Sequence, residues 1–196
     1  MKLLKKQTDG LNIALNEATL LEIKLSSDKK KMAMTFDVLS LPSQDKVKLI
    51  DQKIFLILYN IGRIAISLKK GNWDDKNAKI IKLSIDNFAE VLKKNCGYPI
   101  YGNDFFNCEK NDFVTWKERL SLNIVNEDGS VKNTLDIFQE GKNHLDMRIW
   151  FEGLKILSLH QNEISIEDFI AGGKRWWGAF YKKDKRTQEH GIILRD

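Results

Sequence analysis

The chain has 196 residues, 42% of them hydrophobic and 30% charged, and its 32 Lys and Arg against 27 Asp and Glu give a formal net charge of +5. That length bounds one large domain or two small ones, and the apolar fraction suffices for a core, which excludes a wholly disordered chain. No run reaches the roughly 18 apolar residues of a membrane helix, and MKLLKKQTDG is charged without the apolar stretch of a secretory signal, so a cytoplasmic protein with no membrane contact is expected. Cys96 and Cys108 are too few for a disulfide scaffold and lack CxxC spacing, so a reduced pair is expected. The basic balance permits nucleic acid or an acidic protein as partner and requires neither.

Residues 1–10 read as a frayed leader ending in an Asp9-Gly10 turn. Residues 20–25 (LLEIKL) and 32–41 (MAMTFDVLSL) alternate apolar with polar around a charged tip, which predicts a hairpin. Pro42 ends its second strand, because proline has no N–H for a ladder. Residues 54–61 (IFLILYNI) form the most apolar run and predict a central strand; Gly62 is expected to turn it back into residues 63–68 (RIAISL). Ser84 then caps a helix over residues 85–94, with Ile85, Phe88, Val91 and Leu92 on its apolar side.

The aromatic segment 96–119 reads as a linker. Beyond it, residues 144–151 alternate Leu145, Met147 and Ile149 with Asp146, Arg148 and Trp150, a strand with one dry face. Glu152-Gly153 predicts a tight turn, and Leu154, Ile156 and Leu159 a return strand. Ser165, followed by Glu167 and Asp168, is a capping box in type. The helix it opens places Ile166, Phe169, Ile170, Gly173, Trp177, Phe180 and Tyr181 on one face. Gly172 and Gly173 each cost about 1 kcal/mol against Ala in a helix interior, which suggests close approach of another backbone. Residues 192–194 are apolar enough for an edge strand.

Residues 54–68 align without a gap on 145–159, matching Gly62 to Gly153 and Leu68 to Leu159, and SIDNF (84–88) matches SIEDF (165–169). The expected fold is therefore α+β: two tandem, pseudo-duplicated ββββα units, each an antiparallel meander covered by one helix, whose sheets stay separate or join at their edges into one. The first spans 1–95 with an insert at 69–83, the linker 96–119, and the second 120–196 with a basic C-terminal tail.

Segments beyond the repeat are the expected contact surfaces. Trp73, Asp74 and Asp75 at a loop tip suit a partner contact or a hard cation, or a turn closed by Asx hydrogen bonds. Tyr98, Tyr101 and Asp104 in the linker suit interface anchors, or fill the seam between units. Lys174, Arg175, Trp176, Lys182 and Lys183 mix bases with a ring that the helix face leaves free, the pattern of a single-stranded nucleic-acid contact. The three histidines show no ligand spacing, and no P-loop, GxGxxG or GxSxG occurs. No catalytic residue, metal or cofactor is assigned. The expected function is a non-catalytic bacterial protein-binding module, in its concrete form an immunity- or antitoxin-type protein that blocks a partner enzyme such as a toxin. The alternatives are a nucleic-acid binder and a metal-dependent hydrolase built on Asp74, Asp75 and His160.

Overall fold

The structure is a computed structural model that describes residues 2–43, 52–71, 75, 77–107, 119–126 and 131–190. In chain order they form α1 (Lys5–Leu15), β1 (Thr19–Leu25), β2 (Lys31–Asp37), β3 (Lys53–Lys70), α2 (Phe88–Lys93), β4 (Tyr98–Phe106), β5 (Leu122–Val125), β6 (Asn133–Glu140), β7 (Asn143–Ser158), β8 (Glu163–Ile164), α3 (Ile166–Tyr181) and a 3-10 helix, Lys185–His190. The protein is α+β.

The two stretches that align in sequence are antiparallel partners. β3 and β7 pair from Ile54 against Ser158 to Lys70 against Asn143, with one irregularity between Ile61 and Arg63. β2 flanks the first half of β3 and β5 the second; β6 flanks the first half of β7, and β8 its second. β1 pairs with β2, β4 with β6, and β1 meets β4 at Thr19–Pro99 and Leu20–Tyr98. Among the described residues the eight strands thus form one antiparallel sheet, in which β3, β2, β1, β4, β6 and β7 close a ring. Its interior holds Leu56, Leu58, Ile64, Ile66, Leu68, Leu145, Met147, Ile149 and Phe151, none more than 1% exposed.

The hairpins predicted at Gly62 and Gly153 do not form, and the choice between one sheet and two, open in the sequence, falls to one among the described residues. Both strands run through their glycines, over 18 residues in β3 and 16 in β7. The local twist of β3 falls on Asn60, at φ 50°, beside the irregularity after Ile61. Gly153 answers a different need. It lies opposite Tyr59, and a Cβ there would collide with the Tyr59 ring. A bare backbone lets the ring lie across the neighbouring strand.

The linker reading also yields to pairing. Residues 98–106 are β4, inserted between β1 and β6, with Ile100 and Phe105 in the core. Helix α2 begins at Phe88, after Ser84 and Asn87 exchange side-chain-to-backbone hydrogen bonds of 2.8 and 3.2 Å. Phe88 and Leu92 are buried as predicted, whereas Ile85, outside the helix, is 46% exposed.

The predicted frayed leader is helix α1, held by Leu3, Leu11 and Leu15 in the core. It lies beside α3 and runs parallel to it. Gln7 donates to Glu167 at 3.0 Å, Gly10 faces Ile170, and Ala14 faces Gly173. The close approach expected at the glycine pair is present, with helix α1 as the approaching backbone at Gly173 and Ser40 against Gly172. A Cβ at Gly173 would stand 2.6 Å from the Ala14 Cα. Gly173→Ala is therefore expected to destabilise by about 1–3 kcal/mol through overpacking. Gly178, with nothing within 4 Å of its Cβ position, is expected to gain about 0.5–1 kcal/mol on substitution by Ala. Urea midpoints moving in opposite directions would bear this out; midpoints moving together would not.

The predicted cap of α3 is present. Ser165 Oγ accepts from the Asp168 amide at 3.0 Å and donates to its carboxylate at 2.7 Å. The far end of its apolar face differs: Trp176 is fully buried at 0% exposed and Tyr181 is 66% exposed. Trp176 packs with Leu39, Leu41 and Ala179, stacked on Phe180 at 5.1 Å. The segment after β2 thus covers a second side of α3, tied to it by Leu41 N–H to the Gly172 carbonyl and Arg175 Nε to the Leu41 carbonyl.

Candidate functional site

Of the residues singled out for partner contact, Trp73 and Asp74 lie outside the described residues. Asp75 is exposed and accepts from the Asn77 amide at 2.8 Å, an Asx-type turn. Tyr98, Tyr101 and Asp104 all stand on β4, the tyrosines 38% and 45% exposed, and Asp104 accepts from Asn12 at 2.8 Å. Lys174, Arg175, Lys182 and Lys183 are exposed. Trp176 cannot serve as the free ring of a nucleic-acid contact, because Leu39 and Leu41 bury it. Cys96 donates to the Leu92 carbonyl at 3.3 Å, and burial, with Glu22 nearby, pushes its thiol up; Cys108 lies outside the described residues. Among the described residues no three His, Cys, Asp or Glu side chains gather closely enough to hold a metal ion.

Two features gather polar or exposed groups. The first is the sheet face opposite the core. There β7 presents His144, Asp146, Arg148 and Trp150, the polar side of the predicted alternation, but these side chains are mostly buried. Arg148 grips Asp136 of β6 through two contacts, at 2.7 and 2.6 Å. Its guanidinium lies 5.1 Å from the Phe106 ring and 5.8 Å from that of Trp150. Asp146 accepts from Lys69 of β3 at 3.1 Å and meets His144 Nε2 at 2.6 Å. The Tyr101 hydroxyl lies 3.3 Å from both His144 ring nitrogens.

That arrangement suits structure better than reaction. Burial, with Asp146 and Glu140 adding repulsion, pushes the Tyr101 phenol up to about 12, so it keeps its proton and makes a poor base or nucleophile. His144 is 2% exposed, leaving little surface for a substrate. Burial also pushes the Asp136 carboxyl up, against the pull of Arg148. These groups pair across β3, β4, β6 and β7 and fix how the strands align, as a satisfied polar network does.

The second feature is a groove of about 540 Å³ lined by Asn12, Ile13, Asn16, Lys174, Trp177 and Tyr181. It arises because α1 ends at Leu15, level with Gly173, while α3 runs on for about two more turns. The α3 stripe Ile166–Ile170–Gly173 has α1 alongside; its continuation, Trp177 and Tyr181, faces the groove instead. Ile13 is 38% exposed at the wall. The Trp177 Nε1 is buried and donates to no partner among the described residues. The α1 wall was invisible in sequence, since nothing local in residues 1–15 announces a helix, but the stripe itself was legible. Comparison with family models, curated proteins and solved structures finds no match to this chain.

Proposed function

We propose that this chain is a protein-binding module that acts by contact and carries no reaction of its own. The observation that supports the reading best is the α3 stripe outrunning α1, which leaves Trp177, the 66% exposed Tyr181 and Ile13 on an open groove. Apolar and aromatic surface displayed in one place marks interaction sites, and Tyr and Trp anchor a large share of binding energy. Tyr98 and Tyr101 on β4 add a second exposed aromatic pair.

Blocking a partner enzyme, as an immunity or antitoxin protein does, is the narrower form of the proposal. The shared pattern of residues 54–68 and 145–159 fits a duplicated ancestor: Ile54 pairs with Ser158 and Leu68 with Leu145, so each stretch meets the other end to end, as a local two-fold would require. The nucleic-acid alternative has less support, since its ring, Trp176, is buried.

Affinity capture from cell lysate with the wild-type chain and a Tyr98→Ala, Tyr101→Ala, Tyr181→Ala variant tests the reading. A protein retained by the first and lost by the second, with both chains equally folded, is the expected result. The narrower form further expects that protein to be an enzyme inhibited by stoichiometric addition of the chain. Retention of the same proteins by both would overturn the reading.

A further inference from the structure

Resting on that reading, we propose that the groove between the C-terminal turns of α1 and α3 receives an amphipathic helix of the partner, apolar on the buried side and acidic toward α3. The seam geometry supplies the shape. α1 and α3 run parallel and pack through small residues, Gly10 against Ile170 and Ala14 against Gly173. Where α1 stops, the seam continues with its α3 side intact, so a helix entering in line with α1 finds Trp177 and Tyr181 as its floor, with Ile13 on the wall at the α1 end. Apolar residues three and four apart on the incoming helix match such a floor, the usual register of helix-in-groove recognition.

Charge selects the occupant. Lys174 lines the groove, and exposed Lys182 and Lys183 follow Tyr181 directly. Among the described residues no carboxylate lines it; Asp104 lies beyond Asn12, which holds it at 2.8 Å. The last carbonyls of α1 bring partial negative charge near Asn16, so acidic side chains belong at the lysine end and not there.

Three labelled synthetic helical peptides test this by fluorescence anisotropy against the full chain: one with a leucine stripe and glutamates, one with lysines for the glutamates, one with serines for the leucines. Only the first is expected to bind. Tyr181→Ser or Lys174→Glu, both exposed and expected to leave the melting curve unchanged, are each expected to weaken it by about tenfold or more, near 1.4 kcal/mol. Equal binding of the lysine peptide, no binding of the glutamate peptide, or indifference to both substitutions would overturn the proposal. So would a single-stranded oligonucleotide binding in its place with the same dependence on Tyr181, or self-association of the chain that Tyr181→Ser abolishes. A partner captured from lysate equally by wild type and Tyr181→Ser, yet lost on Tyr98→Ala with Tyr101→Ala, would sink the groove and leave the protein-binding reading standing.

Discussion

Trp176→Ala is expected to destabilise the protein by about 3–5 kcal/mol, the range for truncating a fully buried large aromatic residue. Trp177→Ala, one position along the same helix, is expected to cost about 1–2 kcal/mol. The difference follows from what surrounds each ring. Trp176 is 0% exposed among Leu39, Leu41 and Ala179, with Phe180 stacked on it at an interplanar angle of 16°. Removing it opens a cavity that the segment after β2, pinned by hydrogen bonds from Leu41 to Gly172 and from Arg175 to Leu41, cannot easily close. Trp177 already borders the open groove, and water can take its place. Urea unfolding of the two variants, with matching m-values, measures the contrast. A larger loss for Trp177 would mean that the wrong side of α3 is in contact with the rest of the fold.

That contrast also shows what sequence could convey. A periodic stripe identifies an amphipathic helix, and the cap at Ser165 and the burial of Phe169 and Ile170 follow from local pattern alone. Trp176 and Trp177 are adjacent on the helix surface, however, and only the tertiary partner decides which is enclosed. α3 is covered on two sides, by α1 and by residues 38–41, whereas its periodicity suggests one. The β1–β2 hairpin and the inward residues of β7 were equally legible, because alternation is dictated by the strand itself.

The failures have a common cause in long-range contacts. KKQTDGLNIAL is a poor local helix, with Thr, Asp, Gly and Asn in its middle; it forms because Leu11 and Leu15 are buried and Gly10 admits Ile170. Gly153 resembles a turn glycine, yet it is there to make room for Tyr59 from a strand more than ninety positions earlier. Residues 98–106 of the aromatic segment are β4 on the β6 edge, and Ile100 and Phe105, an odd five positions apart, both reach the core because the register shifts between Ile100 and Gly102. None of these partners is visible within the span of sequence in which a local pattern is read.

Arg148→Ala tests the polar network with an effect of similar size. The guanidinium is the close counter-charge of Asp136, whose side chain is 5% exposed and which feels Asp104 and Asp146 as well. Deleting it leaves a buried carboxylate facing two others, a change that costs about 3–5 kcal/mol near neutral pH. The loss should depend on pH in a defined direction. Burial already raises the Asp136 carboxyl above its ordinary value, and removing Arg148 raises it further. The folded variant then holds a proton that the unfolded chain releases, so stability falls as pH rises through the folded-state range and returns as pH is lowered below it. The deficit against wild type should accordingly shrink as pH is lowered from neutrality toward the ordinary Asp range. Replacing both members, Arg148→Met with Asp136→Leu, should restore much of the loss at every pH, because no unpaired buried carboxylate remains. Urea unfolding of the single and double variants over a series of falling pH separates the contributions. A deficit independent of pH, or a double variant no better than the single, would mean that Arg148 stabilises through its packing on Phe106 and Trp150 and that its charge is incidental.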